Sequence, residues 1–140
     1  MSMVSAVRSW LKTCPLLSGE RLNVDFLPPE TGSYSVDVSP AAAIVKKYLD
    51  GSSVRQFLFS LRTRDVYGPD LLQNIENLGF FEAVTAWAER ACEAGELPVL
   101  PEGRQAVRVE VLSTGTVFWA ETEAAQYQIQ FKLTYRQLTY

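Results

Sequence analysis

The chain has 140 residues, 47% of them hydrophobic and 21% charged, with 13 Lys and Arg against 16 Asp and Glu and no histidine at all. That length and apolar share predict a single globular domain over 1–140 with a sizeable core, while a formal charge of -3 argues against the basic footprint of a protein that wraps duplex DNA. Histidine is the usual proton-transfer group near neutral pH and the commonest metal ligand, so its absence excludes most hydrolase, acyltransferase and zinc-enzyme readings and predicts a structural part, not an enzyme.

The start, Met1-Ser2-Met3-Val4-Ser5-Ala6, lacks a signal peptide's basic region followed by an apolar block. No apolar run approaches the roughly 18 to 20 residues needed to cross a bilayer, so the protein is expected in the cytoplasm where it is made. Val4, Val7, Trp10 and Leu11 share one face at helical spacing, with Ser5, Arg8, Ser9 and Lys12 opposite. They predict a short amphipathic helix, stopped by Cys14-Pro15 because proline cannot continue the hydrogen-bond ladder.

The period then changes to two. Leu22, Val24 and Phe26 alternate with Asn23 and Asp25 up to Pro28-Pro29, and Tyr34, Val36 and Val38 alternate with Ser35, Asp37 and Ser39 up to Pro40. Both read as half-buried strands, and they are expected to pair as a hairpin. Residues 43–49 and 54–65 flank Asp50-Gly51, a strong turn signal, and predict a long second hairpin. Its second arm carries Val54, Gln56, Leu58, Ser60, Arg62 and Arg64 on one face and Arg55, Phe57, Phe59, Leu61, Thr63 and Asp65 on the other.

Gly68-Pro69-Asp70 introduces the main helix, whose apolar series runs from Leu72 to Ala91 before Gly95 stops it. Gly79 in its middle costs about 1 kcal/mol against alanine and predicts a break or kink at Leu78-Gly79. A connector with two prolines leads to Val107, Val109 and Val111, alternating with Arg108 and Glu110. Ser113-Thr114-Gly115 reads as a turn and Thr116 to Glu121 as the returning strand. The last strand is the clearest, with Tyr127, Ile129, Phe131, Leu133 and Tyr135 on one face and Gln126, Gln128, Gln130, Lys132 and Thr134 on the other. The whole predicts an α+β fold, a mostly antiparallel sheet flanked by a short N-terminal helix and one long central helix.

Chemistry-bearing constellations are few. Cys14 and Cys92 have no CxxC partner and read as small core or half-buried side chains. The carboxylates are scattered on solvent sides of the patterns, with too few oxygen ligands at defined spacing for a metal. Arg55, Arg62 and Arg64 with Tyr67 form the most conspicuous polar cluster, read either as a solvated strand end or as a protein–protein contact. The Gln and Thr face of the last strand suits plain solvent, an aqueous lumen or a neighbouring subunit.

Four stretches carry a resemblance: Trp10-Leu11-Lys12-Thr13-Cys14-Pro15-Leu16-Leu17, Val54-Arg55-Gln56-Phe57-Leu58-Phe59, Asp65-Val66-Tyr67-Gly68-Pro69-Asp70-Leu71-Leu72-Gln73-Asn74-Ile75-Glu76-Asn77, and Tyr127-Gln128-Ile129-Gln130. Together they resemble small proteins encoded in the tail-gene region of prophages of Gram-positive gut bacteria. Those are similar in length and element order to the minor tail or tail-terminator proteins of long-tailed bacteriophages. The resemblance implies a tail-terminator-like sheet flanked by helices and a structural role without catalytic residues, cofactor or metal. Subunits of that class form a ring, typically a hexamer, that caps the tail tube, stops its polymerisation and docks the tail to the head connector; a head–tail joining or other minor virion role fits the same residues.

The partners so implied are further copies of the chain, a tail tube protein and a head–tail connector protein, with no sequence-specific nucleic acid and no membrane. The implied location is the virion tail, after assembly in the bacterial cytoplasm. On this account the contacts are expected at the hairpin tip (Asp50, Gly51, Ser52), in the loop with Pro29 and Glu30, and around Arg55, Arg62, Arg64 and Tyr67, because these project from the sheet. Charge reversal at Arg62 and Arg64 is expected to impair assembly while leaving the monomer folded. Two rival readings remain: a small-molecule-binding domain or histidine-free enzyme with a pocket around Trp119 and Tyr127, and an adaptor for one host protein.

Overall fold

Ser2 caps the first helix, its hydroxyl accepting the Ser5 N–H at 3.1 Å, and Met3–Leu11 (α1) follows as predicted, burying Ala6, Val7, Trp10 and Leu11. The helix ends one turn before Pro15, and the turn beyond it carries Cys14 and Leu17 into the core, both fully buried. The computed structural model describes residues 2–17, 22–25, 33–39, 44–66, 71–120 and 124–138, with residue 33 and residues 64–66, 71–78, 113–120 and 124–126 described by their backbone alone.

The strands are Leu22–Val24 (β1), Ser33–Ser39 (β2), Ile44–Lys47 (β3), Ser53–Val66 (β4), Arg104–Ala120 (β5) and Ala124–Gln137 (β6), with Leu71–Glu93 (α2) between β4 and β5. They form a six-stranded sheet in the order β1-β2-β4-β6-β5, with β3 paired to the same edge of β4 as β2. The fold is α+β, and every strand pair but one is antiparallel. Both helices lie against one face of the sheet. Phe59 and Phe131 stack there with ring centroids 5.1 Å apart, Trp10 of α1 meets Phe131 edge-on, and Phe81 of α2 packs on Tyr127. All five predicted core positions of β6, from Tyr127 to Tyr135, are buried.

Three local expectations are corrected. The first two strands do not form a hairpin: β1 pairs β2 in parallel, Leu22 opposite Tyr34 and Val24 opposite Val36. Alternation assigns each side chain a face and is blind to the direction of the partner strand. Asp25, at φ 50°, ends β1 by donating its N–H to the Val36 carbonyl and accepting the Val38 N–H on its carboxylate.

Ser113-Thr114-Gly115 is not a turn either. β5 runs straight through it, still paired to β6, and the register slips at four places, one of them between Ser113 and Thr116. These are β-bulges, in which an extra residue on one strand goes unpaired and the strand curls. Among the extra residues are the apolar Val107, between the paired Ala106 and Arg108, and Leu112, between the paired Val111 and Ser113. Both stand about half exposed, at 50% and 48%, because the slip turns them out of the core alternation.

Nor does Gly79 break the central helix. α2 is continuous across it, since packing along the 23-residue helix outweighs a local penalty of about 1 kcal/mol. A Cβ at Gly79 would meet nothing within 4 Å. Gly79→Ala is therefore expected to raise stability by about 0.5 to 1 kcal/mol, read as a higher urea midpoint; a lower midpoint would mean the helix needs glycine there. The predicted stop is correct. Gly95, at φ 76°, donates to the Cys92 carbonyl while Glu96 donates to that of Ala91, closing the helix in the left-handed turn that glycine adopts without strain. Among the described residues no helix is long and apolar enough to cross a membrane.

Candidate assembly surface

With both helices on one face, the other face of the sheet is left polar. In register across it lie Ser35 and Asp37 of β2, Ser60 and Arg62 of β4, Gln128, Gln130 and Lys132 of β6, and Arg108 and Glu110 of β5. The small serines Ser35 and Ser60 are buried, flanked in register by longer side chains. Both carboxylates meet cations. Asp37 takes a hydrogen bond from Ser35 at 2.7 Å and an ion pair with Arg62, and Glu110 meets Arg108 at 2.6 Å and Lys132 at 3.9 Å. This face is hydrophilic, with the three cations Arg62, Arg108 and Lys132 set against the two carboxylates of Asp37 and Glu110.

The arginines do not form one cluster. Arg55 and Arg62 point to opposite faces of β4 and stand seven residues apart, about 23 Å along the strand at about 3.3 Å per residue. Arg55 belongs to the hairpin end, its guanidinium bonded to Ser53 at 3.0 Å. Arg62 is half-buried and committed to Asp37. Arg64 pairs in register with Ser33 and Gln126. Tyr67, Pro29 and Glu30 lie outside the described residues.

At the hairpin, Asp50, Gly51 and Ser52 build the turn as the sequence predicts. The Asp50 carboxylate accepts the Ser52 hydroxyl at 2.6 Å and its N–H at 2.9 Å, and these bonds, the hydroxyl's first, hold its carboxyl below the usual carboxylate range. Gly51 takes φ 91°, and Ser52 is buried. The polar tip residues are thus spent on the turn itself.

What the hairpin offers outward is apolar. Ile44 and Val45 of β3 and Tyr48 and Leu49 beside the turn are all exposed, Leu49 at 109% of its reference area, interleaved with Lys46 and Lys47. β3 is exposed on both faces. Sequence reasoning missed these residues because Ile44-Val45 and Tyr48-Leu49 come as adjacent apolar pairs that single out no exposed face; the signal was a leucine placed directly before Asp50-Gly51, where a solvated turn would carry a polar residue.

Of the two residues named for a pocket, Tyr127 is 1% exposed and lies under Phe81, and the side chain of Trp119 lies outside the described ones. Among the described residues no group of Cys, Asp and Glu is placed to hold a metal ion.

Architecture and surface together define an α+β protein with one sheet face covered by helices, one open polar face and a projecting apolar hairpin. The chain is similar in fold to a chain of a solved structure described as "Virion of native gene transfer agent (GTA) particle", with a TM-score of 0.56 and 18% identity over 96% of this chain and 95% of that one. No family model matches the chain, and no curated protein matches it.

Proposed function

We propose that the chain is a structural protein of a phage-like particle, with no catalytic role, and specifically a ring-forming tail terminator that caps the tail tube and joins it to the head connector. The observation that carries this reading is the fold shared over nearly the full length of both chains with a component of a virion particle. Two surface features support it. A ring subunit needs an exposed feature that reaches a neighbour, and the Ile44–Leu49 hairpin is one. A wall past which DNA travels must be hydrophilic with a weak hold on phosphate, and on the polar face Arg62, Arg108 and Lys132 each lie beside a carboxylate that competes for them. Its partners on this reading are further copies of itself, the tail tube protein and the connector protein, and it resides in the virion tail.

The test is absolute mass by light scattering from micromolar to near-millimolar concentration, followed by electron microscopy of the large species. Closed rings of about six subunits are expected. A strict monomer at every concentration, with or without tail tube protein, would sink the proposal.

A further inference from the structure

The two long edges of the sheet carry complementary surfaces. On one edge, β3 and its turn present Ile44, Val45, Tyr48 and Leu49 with Lys46 and Lys47. On the other edge, an open groove of about 410 Å³ runs between α2 and β5, lined by Glu89, Cys92, Glu93, Val109, Glu110 and Val111. Val109 and Val111 supply its apolar part. The flanking Glu89 and Glu93 are exposed, and Glu110 already faces Arg108 and Lys132. β3 and β5 are separated by β4 and β6, about 14 Å across at about 4.8 Å per strand, so one copy's hairpin is too far to fill its own groove.

We propose that the hairpin of one copy docks in the α2–β5 groove of the next, Leu49 and its apolar neighbours on Val109 and Val111, Lys46 and Lys47 against Glu89 and Glu93. The occupant is a second copy of this chain, because the match is one of charge as well as polarity: two lysines on the hairpin, two exposed glutamates on the groove. Such an interface is heterologous. Each copy is donor on one edge and acceptor on the other, the arrangement that generates a ring when the rotation closes. The inference deepens the ring reading and rests on it.

Cys92 makes the contact measurable, because it lines the groove and is partly exposed. Cys14, by contrast, is fully buried and its thiol is pushed up by that burial, so it stays unreactive in the folded chain. Leu49→Cys places a second thiol at the most exposed point of the hairpin. Treatment of the folded Leu49→Cys protein with a short bis-maleimide is expected to give a ladder beyond the dimer on a denaturing gel, since each chain then joins two neighbours through different cysteines. Adding Cys92→Ser is expected to remove every band above the dimer.

Mass measured on the same samples separates the outcomes. A ladder without closed rings upholds the docking and refutes the tail-terminator ring. Rings that yield no more than dimers overturn the docking and leave the ring standing. A monomer with no ladder overturns both.

Discussion

Trp10→Ala is expected to lower stability by about 3 to 5 kcal/mol, the range for emptying a buried large aromatic site, which is a large share of the 5 to 15 kcal/mol that holds an ordinary domain folded. The indole joins three elements at once. Its ring lies 4.7 Å from Trp87 of α2 and meets Phe131 of β6 edge-on at 6.5 Å. Its Nε1–H donates to the Glu96 carbonyl at 2.7 Å, across 86 residues of sequence. Removing it unfastens α1 from the sheet and from the end of α2 together. Thermal denaturation should show a midpoint lower by roughly 10 to 20 °C. Trp10→Phe keeps the ring packing and gives up the hydrogen bond; because Glu96 is exposed, water can take its carbonyl, and the expected loss is only about 1 kcal/mol. Equal losses in the two variants would mean that the hydrogen bond, not the packing, holds α1 down.

The second large effect concerns Arg62. Arg62→Glu is expected to lower stability by about 2 to 3 kcal/mol, because it breaks an ion pair whose side chains are 21% and 20% exposed and sets a new carboxylate against Asp37. The loss is smaller than for a fully buried pair, since water still reaches both groups. This revises the expectation that charge reversal at Arg62 leaves the monomer folded as before: the guanidinium is part of the sheet's own polar face. The swapped variant Asp37→Arg with Arg62→Glu should recover at least half of the loss in chemical denaturation. A single variant as stable as the parent would show that Arg62 contributes nothing to the fold, and would restore it as a free contact residue.

These two residues illustrate how unevenly the sequence can be read. Trp10 belongs to a helical period that names its own buried face, and the five apolar positions of β6 name theirs, so α1, β6 and the α+β class were legible from spacing alone. The Asp50-Gly51 turn was legible for a similar reason, because the residue that must adopt a positive φ is the glycine itself. The partner of Arg62 was not. Asp37 lies on another strand, directly opposite Ser60 and diagonal to Arg62, and no local pattern links positions 37 and 62.

Side-chain periodicity and turn chemistry are local properties, and they settled which segments are helices and strands, which residues face the core, and that a long polar face would remain. Tertiary structure alone decided what depends on pairing direction and on residue counts between distant strands. Serine, threonine and glycine suit a turn and a bulge equally, so only the uninterrupted pairing of β5 with β6 shows that 113–115 is a bulge. The parallel β1–β2 pair has the same alternation as a hairpin. The Ile44–Leu49 arm carries four apolar residues that a strand would ordinarily bury, and their exposure follows from its position at the end of an edge.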